Sequence, residues 1–413
     1  MSNKIKERGA LSGYLLLLLV FALVLSLRAD VFAEETAKGW TVTRVWEKFK
    51  NGPPADPKFF PIIVWLQAPA NAAKYKAAGI NTYMGLYKGP KAGDIKTLRD
   101  AGMRLICEMN AEALKNKGDK TIIGWMMVDE PDNWQFKTPI LMNGKTWNYG
   151  PKASRISEKD MLDMYNTVRS GDSTRPVLLG FSCGIANDNY GGRGGGWKNT
   201  MYPGYMKACD WVGFDIYPTA SVGDDALWYH GKGLDRIKEW AGVEKPRFNA
   251  IGPCYTGKKR KPRPEEVKTE IWLSIIHGSN GIVYFAHNIS PFVEDALLKD
   301  PMQLENITKI NAQITELAPV INGPEYKGAS VASSNDSVPI DLMAKKYNGE
   351  TYIFSVAARM GDETTGAFQV QGVSKAGKVQ VLGEDRILDI DESGKFKDEF
   401  KRWEVHIYRV IKN

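Results

Sequence analysis

Between Phe59 and Phe285 the chain alternates short apolar runs with amphipathic stretches, and it does so eight times. The runs are PIIVWLQ (61–67), NTYMGLY (81–87), MRLICEM (103–109), IIGWMMV (122–128), PVLLGFS (176–182), WVGFDIY (211–217), RFNAI (247–251) and GIVYF (281–285). Short apolar runs separated by helical patterns are the signature of parallel strands covered on both faces. Eight such units over about 227 residues predict an α/β chain whose strands close into a (β/α)8 TIM barrel, a fold of roughly 250 residues. The rival, an open doubly wound sheet, needs a glycine-rich turn after its first strand. That position reads Leu66-Gln67-Ala68-Pro69.

The intervening helices carry their own end signals. Ala70 to Ala78 stops at Gly79, Asp94 to Ala101 stops at Gly102, and Glu158 to Ser170 follows Ser157. Glycine suits the left-handed residue after a helix. Pro264-Glu265-Glu266 opens a long helix ending at His277-Gly278, and residues 302–317 form the last one. The barrel is therefore expected over 59–318. After Asn322-Gly323-Pro324 the texture changes to alternating runs (TYIFSVAAR, GAFQVQGV, KVQVLGE, WEVHIYRVI), which predict a small C-terminal β-sandwich over 324–413.

At the other end, Lys4, Lys6 and Arg8 precede the apolar run Leu11 to Leu27, followed by Val31-Phe32-Ala33. A basic start, an apolar core and small residues at the cleavage point read as a signal peptide over 1–33, with 34–58 as a lead-in. Secreted or periplasmic protein is expected, and no stable membrane span after signal removal; the alternative is a single membrane anchor, since the run is near the shortest length that spans.

The four cysteines follow the leader. Only Cys183 and Cys209 look like a plausible disulfide pair. No cysteines have zinc-knuckle spacing, and His230, His277, His287 and His406 form no HExxH group, so neither a metal nor a cofactor is expected. A formal charge of +7, from 55 basic and 48 acidic residues, is too balanced for a nucleic-acid binder.

A barrel of this kind places its active site at the C-terminal ends of the strands. The polar residues there are Gln67, Tyr87, Glu108, Asn110, the cluster Asp129-Glu130-Pro131-Asp132, Asp215, Tyr217, and His287. Three carboxyl groups within four residues, directly after an apolar run, raise one another's proton affinity, which is how an acid is kept protonated near neutral pH. Consecutive residues of a regular strand face opposite ways, so Asp129 and Glu130 can share a face only where the strand ends. Asp132 is expected to cap the next segment instead.

Three segments carry a resemblance. GWMMVDEPD (124–132), DWVGFDIYP (210–218) and WLSIIHGSNGIVYF (272–285) resemble strands 4, 6 and 8 of barrel glycoside hydrolases of the clan-A, β-galactosidase-like type. The resemblance covers about residues 59–318. It implies that Glu130 is the general acid and that Asp129 takes the place of the asparagine that binds the sugar 2-hydroxyl. It also implies a nucleophilic glutamate at the end of strand 7, yet RFNAIGPCY (247–255) holds no carboxylate. Asp215, then Glu108, are the candidates for the second carboxylate of an inverting reaction. Asp129 could instead orient a substrate N-acetyl group.

The loops after strands 4 to 6 carry Trp134, Trp147, Tyr149, Tyr190, Trp197, Tyr202, Trp228 and Tyr229, flat faces on which pyranose rings stack. Trp134 and Trp197, with Gln67, Tyr87, Asn110, Tyr217 and His287, are the expected sugar contacts. The run Gly191 to Gly196 is expected to be a lid that delivers Trp197. Five positive charges in Lys258 to Arg263 suggest an anionic polysaccharide. The expected function is an exported glycoside hydrolase acting on an oligo- or polysaccharide; the alternatives are a non-catalytic carbohydrate-binding barrel and a lyase acting on uronates.

Overall fold

The eight runs form the eight parallel strands of a closed barrel in this computed structural model, which describes residues 41–411 except 136–139, 143–144, 148–154 and 258. The leader at 1–33, Tyr149 and Lys258 lie outside the described residues. In chain order the barrel strands are β1 (Ile62–Trp65), β2 (Thr82–Met84), β3 (Arg104–Glu108) and β4 (Ile122–Met126). A hairpin of β5 (Ile140–Met142) and β6 (Lys145–Trp147) intervenes before β7 (Val177–Phe181), β8 (Trp211–Asp215), β9 (Arg247–Ile251) and β10 (Ile282–Tyr284). Each strand pairs with its neighbour in sequence order around the ring, and β10 closes on β1 with Ile62 opposite Ile282. These strands read as unbroken apolar runs because the barrel core covers one face and the helices the other.

The lead-in stops one end of the barrel. The Trp46 indole packs edge-on against Trp211 at 5.1 Å, and Trp211 against Phe248 at 5.5 Å. Gly213 admits that last ring, because a side-chain carbon there would stand 2.2 Å from it.

The helix signals hold. Ser157 accepts from the Asp160 amide at 3.1 Å at the head of the helix Glu158–Gly171. The helix Pro264–Ile276 is buried on nearly every side, which explains its continuous apolar run ILE-TRP-LEU in place of a single stripe. One side faces β9; the other meets the C-terminal sheets, where Trp272 stacks on Phe354 at 5.7 Å and Thr269 donates to the Trp403 carbonyl. The last helix, Pro301–Ile321, tolerates Pro319 in its final turn.

Beyond it stand eight antiparallel strands in two sheets: β13 (Ala329–Ser333), β14 (Ile340–Tyr347), β15 (Glu350–Ala357), β16 (Thr364–Val370), β17 (Gly377–Val381), β18 (Arg386–Ile390), β19 (Lys395–Phe400) and β20 (Val405–Val410). The three-stranded sheet runs β13-β16-β19 and the five-stranded one β14-β15-β20-β17-β18. Phe368, Phe396, Phe400 and Tyr408 fill the space they enclose. A short hairpin of β11 (Asn288–Ile289) and β12 (Phe292–Val293) follows the last barrel strand.

The cysteine expectation is corrected. All four cysteines are free thiols. Cys183 follows β7 at the C-terminal end of the barrel, whereas Cys209 precedes β8 at the opposite end. One strand of five residues, at about 3.3 Å each, separates those ends by roughly 16 Å, well beyond the ~7 Å a disulfide can bridge. Among the described residues no helix is long and apolar enough to cross a membrane, and no group of three or more His, Cys, Asp or Glu side chains could hold a metal ion.

Candidate active site

Past Met126 the chain keeps pairing with β7. The Met127 amide donates to Leu178 and the Glu130 amide to Gly180, both across to β7. At Glu130 the backbone then turns into the left-handed region, φ 46°, a conformation that costs roughly 1–2 kcal/mol for a residue with a side chain. The turn is locked by two donors on the Glu130 carbonyl, the Asn133 amide and Gln135 Nε2, both at 2.9 Å. This break in strand alternation lets Asp129 and Glu130 line the same pocket.

The pocket sits at the C-terminal end of the barrel and encloses about 250 Å³. Its walls are apolar, built from Trp65, Met84, Phe214, Phe248, Val283 and Phe285, and its polar groups are Asp129, Glu130, Arg193, Asp215, Tyr217 and Thr256. Two buried polar atoms facing it, Asp215 Oδ1 and Thr256 Oγ1, have no hydrogen-bond partner in the protein. Buried polar atoms are rarely left so, which marks the floor as built for a polar ligand.

Electrostatics divide the carboxyl groups. Burial, then the charges of Glu130 and Asp129, push the Asp215 carboxyl well above the usual range. Solvent reaches Asp129, yet it stands in a concavity with protein on most sides. That desolvation, with the charges of Glu130 and Asp132, lifts it to about 8 against the opposing pull of Arg193. Glu130 is the acceptor of the group. Its Oε2 takes the Arg193 guanidinium at 2.7 Å and Asn133 Nδ2 at 2.9 Å. Tyr217 lines the pocket with Asp215, and burial followed by the Asp215 charge holds its hydroxyl protonated.

Four of the expected residues, Glu130, Asp129, Asp215 and Tyr217, are thus brought together. Glu108 stands outside the lining, although its charge is felt at Asp129; burial raises its proton affinity, and its Oε2 is unpartnered. Gln67 and His287 are buried and joined to each other at 3.1 Å, with Gln67 also accepting from Tyr75 and donating to the Glu294 carbonyl. Their expected sugar contacts give way to a network that ties β1 to the segment after β10. Asn110 caps the helix Ala111–Lys115, accepting from the Ala113 amide. Tyr87 and Trp134 are exposed but outside the pocket lining.

The lid expectation is also corrected. Trp197 is buried against Tyr202 and Tyr205 at 5.1 and 5.3 Å, so it anchors the loop. Arg155 Nη2 binds the Gly191 and Gly195 carbonyls, and Gly194, at φ 90°, lies flat on the Trp134 indole where any side chain would collide. Gly192 and Gly194 serve close packing, Gly195 and Gly196 a left-handed backbone, and the loop is tied down by Arg155 and Trp197. Asp132 does not cap a segment. Fully buried, it accepts from the Ser182 amide and hydroxyl and from Tyr202, tying β7 and the loop beneath the pocket. Desolvation lifts it to about 6, against the pull of those donors.

Arg193 and Asn133 were not foreseen as site residues. The signal for Arg193 was present as the single cation inside the glycine run. In the basic run, by contrast, three of the described cations are paired: Arg260 with Asp224 and Glu266, Lys261 with Asp300, and Arg263 with Glu265 and Glu266. Among the described residues the cation lining the pocket is Arg193.

The fold and site together define a (β/α)8 barrel with a carboxyl-rich pocket at the C-terminal ends of its strands. No protein-family model matches the chain, and no curated protein matches its sequence. Among solved structures it is similar to a β-L-arabinopyranosidase from Geobacillus stearothermophilus, at 10% identity over 89% of this chain and 98% of that one, TM-score 0.46. It is also similar to a glucosidase from Croceicoccus marinus (10% identity, 88% and 98% covered, TM-score 0.43) and to an α-amylase from Malbranchea cinnamomea (10%, 86% and 97%, TM-score 0.44).

Proposed function

We propose that this protein is a glycoside hydrolase, exported by its 1–33 leader, that cleaves O-glycosidic bonds of an oligo- or polysaccharide. The observation that carries the reading is the convergence of Asp129, Glu130 and Asp215 on one small pocket, with protons held on two of them and the third an acceptor. Glycoside hydrolysis needs that division: one carboxyl group protonates the leaving oxygen while a carboxylate on the other side acts as base or nucleophile. Apolar walls suit the C–H faces of a sugar ring, and the orphaned atoms of Asp215 and Thr256 suit its hydroxyls.

The ion pair with Arg193 favours exchanging the roles that the sequence resemblance implied. Asp129 serves as the acid and Glu130 as the carboxylate. Asp215, held protonated by burial and by the neighbouring charges of Glu130 and Asp129, does not offer the carboxylate that a base or nucleophile must be. It therefore acts as a proton-bearing neighbour of Glu130 rather than as its catalytic opposite.

Aryl glycosides whose leaving groups need no protonation test this. Glu130→Gln should lose about 10²–10⁴-fold in turnover on every substrate while sugar still binds. Asp129→Asn should lose a similar factor on natural glycans and little on the activated aryl glycoside. The reverse pattern would return the acid role to Glu130. Glycan binding without release of any reducing end, by the unaltered protein, would make it a binding barrel.

A further inference from the structure

The pocket is smaller than the roughly 300–1,000 Å³ of most ligand sites, so it takes a single ring and the rest of a glycan must leave through its mouth. At that mouth stands the β11–β12 hairpin. We propose that the hairpin is a second sugar subsite, with Ile289 and Phe292 forming an apolar platform for the ring on the leaving-group side of the bond; this rests on the glycoside hydrolase reading above.

Ile289 lines the pocket and is 47% exposed, and Phe292 is 68% exposed. The two are directly opposite in the antiparallel register, so their side chains share a face. Aromatic rings lead from wall to rim: Phe285, in the pocket, lies 4.7 Å from the His287 ring, which lies 5.9 Å from Phe292. The platform is also held still. Asn288 Oδ1 accepts from the Tyr255 amide at 2.8 Å, the Ile289 amide donates back to the Tyr255 carbonyl at 3.0 Å, and the Ala68 amide binds Glu294 Oε1 at 2.6 Å just beyond it.

Ile289 and Phe292 form a contiguous exposed apolar pair at the rim of the pocket, the setting in which apolar surface marks a ligand contact. The segment Asn288 to Val293 carries no charge, which fits a neutral ring face better than an anionic one. Six residues are also far too few for a stable protein interface, which buries about 800 Å² on each partner.

Calorimetric titration of the Glu130→Gln protein with neutral gluco-, galacto- and manno-configured mono-, di- and trisaccharides tests the subsite. Adding Phe292→Ala should weaken di- and trisaccharide binding about tenfold and leave the matching monosaccharide unchanged, while Phe292→Trp keeps the affinity. Unchanged disaccharide affinity in Phe292→Ala overturns the platform and leaves the hydrolase reading standing. If no saccharide binds while Phe292 is in place, the hydrolase reading falls and the subsite with it. A change in sedimentation on Phe292→Ala, without one in sugar affinity, would make the patch a protein contact and overturn the proposal.

Discussion

Asp215, at the end of β8, lines the same pocket as Glu130, the residue that turns the chain after β4, and the charge of Glu130 acts directly on it. Two carboxyl groups facing one buried pocket cannot both ionise cheaply, so one of them keeps its proton. Because Arg193 and Asn133 occupy Glu130 Oε2, the geometry directs that proton to Asp215. A left-handed backbone at Glu130 is the local cost of the arrangement, and strain of this kind gathers where a side chain must be aimed.

The pH dependence follows from Asp129. A group that works as an acid must hold its proton, and Asp129 holds it up to about 8. The kcat/KM profile on a natural glycan should therefore fall on the alkaline side with a midpoint near 8. On an activated aryl glycoside that limb should be absent. A limb that persists unchanged on both substrates would remove Asp129 from the acid role.

The same shift bears on stability. The folded-state proton affinity of Asp129 is raised above its unfolded value of 3.8, so its contribution is fully present below that pH and is lost as pH rises through about 8. Asp129→Asn, neutral at every pH, escapes the loss. Its Tm should exceed that of the parent protein at pH 8 and converge with it near pH 4. Thermal melts at the two pH values check this, and a constant difference would contradict the linkage.

Arg193 is the cation that sets the division of protons. Arg193→Met removes the ion-pair partner of Glu130 and the cation that lowers the proton affinity of Asp129, which should therefore rise. The alkaline limb of the kcat/KM profile, set by Asp129, should move to higher pH, and Arg193→Lys should restore part of the shift. Because the loop is anchored by Arg155 and Trp197, the variant should melt within a degree or two of the parent, so a large fall in Tm would instead mark Arg193 as structural.

How far the sequence spoke depended on how long each signal was. All eight barrel strands were legible because burial on both faces writes a continuous apolar run. In the C-terminal region the strands β15, β16, β17 and β20 were legible too, from the runs TYIFSVAAR, GAFQVQGV, KVQVLGE and WEVHIYRVI. Segments such as KFKDEF (395–400) were not: half their residues face water and carry charge, and only the pairing with β16 makes them strands. In the site, the carboxyl cluster was visible because charge at a strand end is conspicuous. Arg193, Asn133 and the φ of Glu130 are relations between loops distant in the chain. Gln67 and Asn110 stood at strand ends as polar residues should, but tertiary partners had claimed them. Residue type at a strand end shows which side chains are near the mouth; it does not show which ones already have a partner.

The last relation lies away from the pocket. His277, following the helix Pro264–Ile276, bridges two carboxylates, with Nδ1 2.9 Å from Asp235 on the helix Tyr229–Ala241 and Nε2 3.0 Å from Asp341 on β14. Burial lowers the proton affinity of the ring, but hydrogen bonds and charge from both aspartates outweigh it and lift the imidazolium to about 9. Only the protonated ring can donate from both nitrogens. The folded value lies above the unfolded one of 6.5, so the stabilisation is complete below that pH and disappears as pH rises through about 9. His277→Gln, which has no such titration, should melt below the parent by roughly 2–4 °C at pH 6, the size expected for a kcal/mol or so in a large domain. The gap should close by pH 9.5. Because the bridge joins a barrel helix to the five-stranded sheet, a gap that stays constant across this range would mean that the latch works by packing and not by charge.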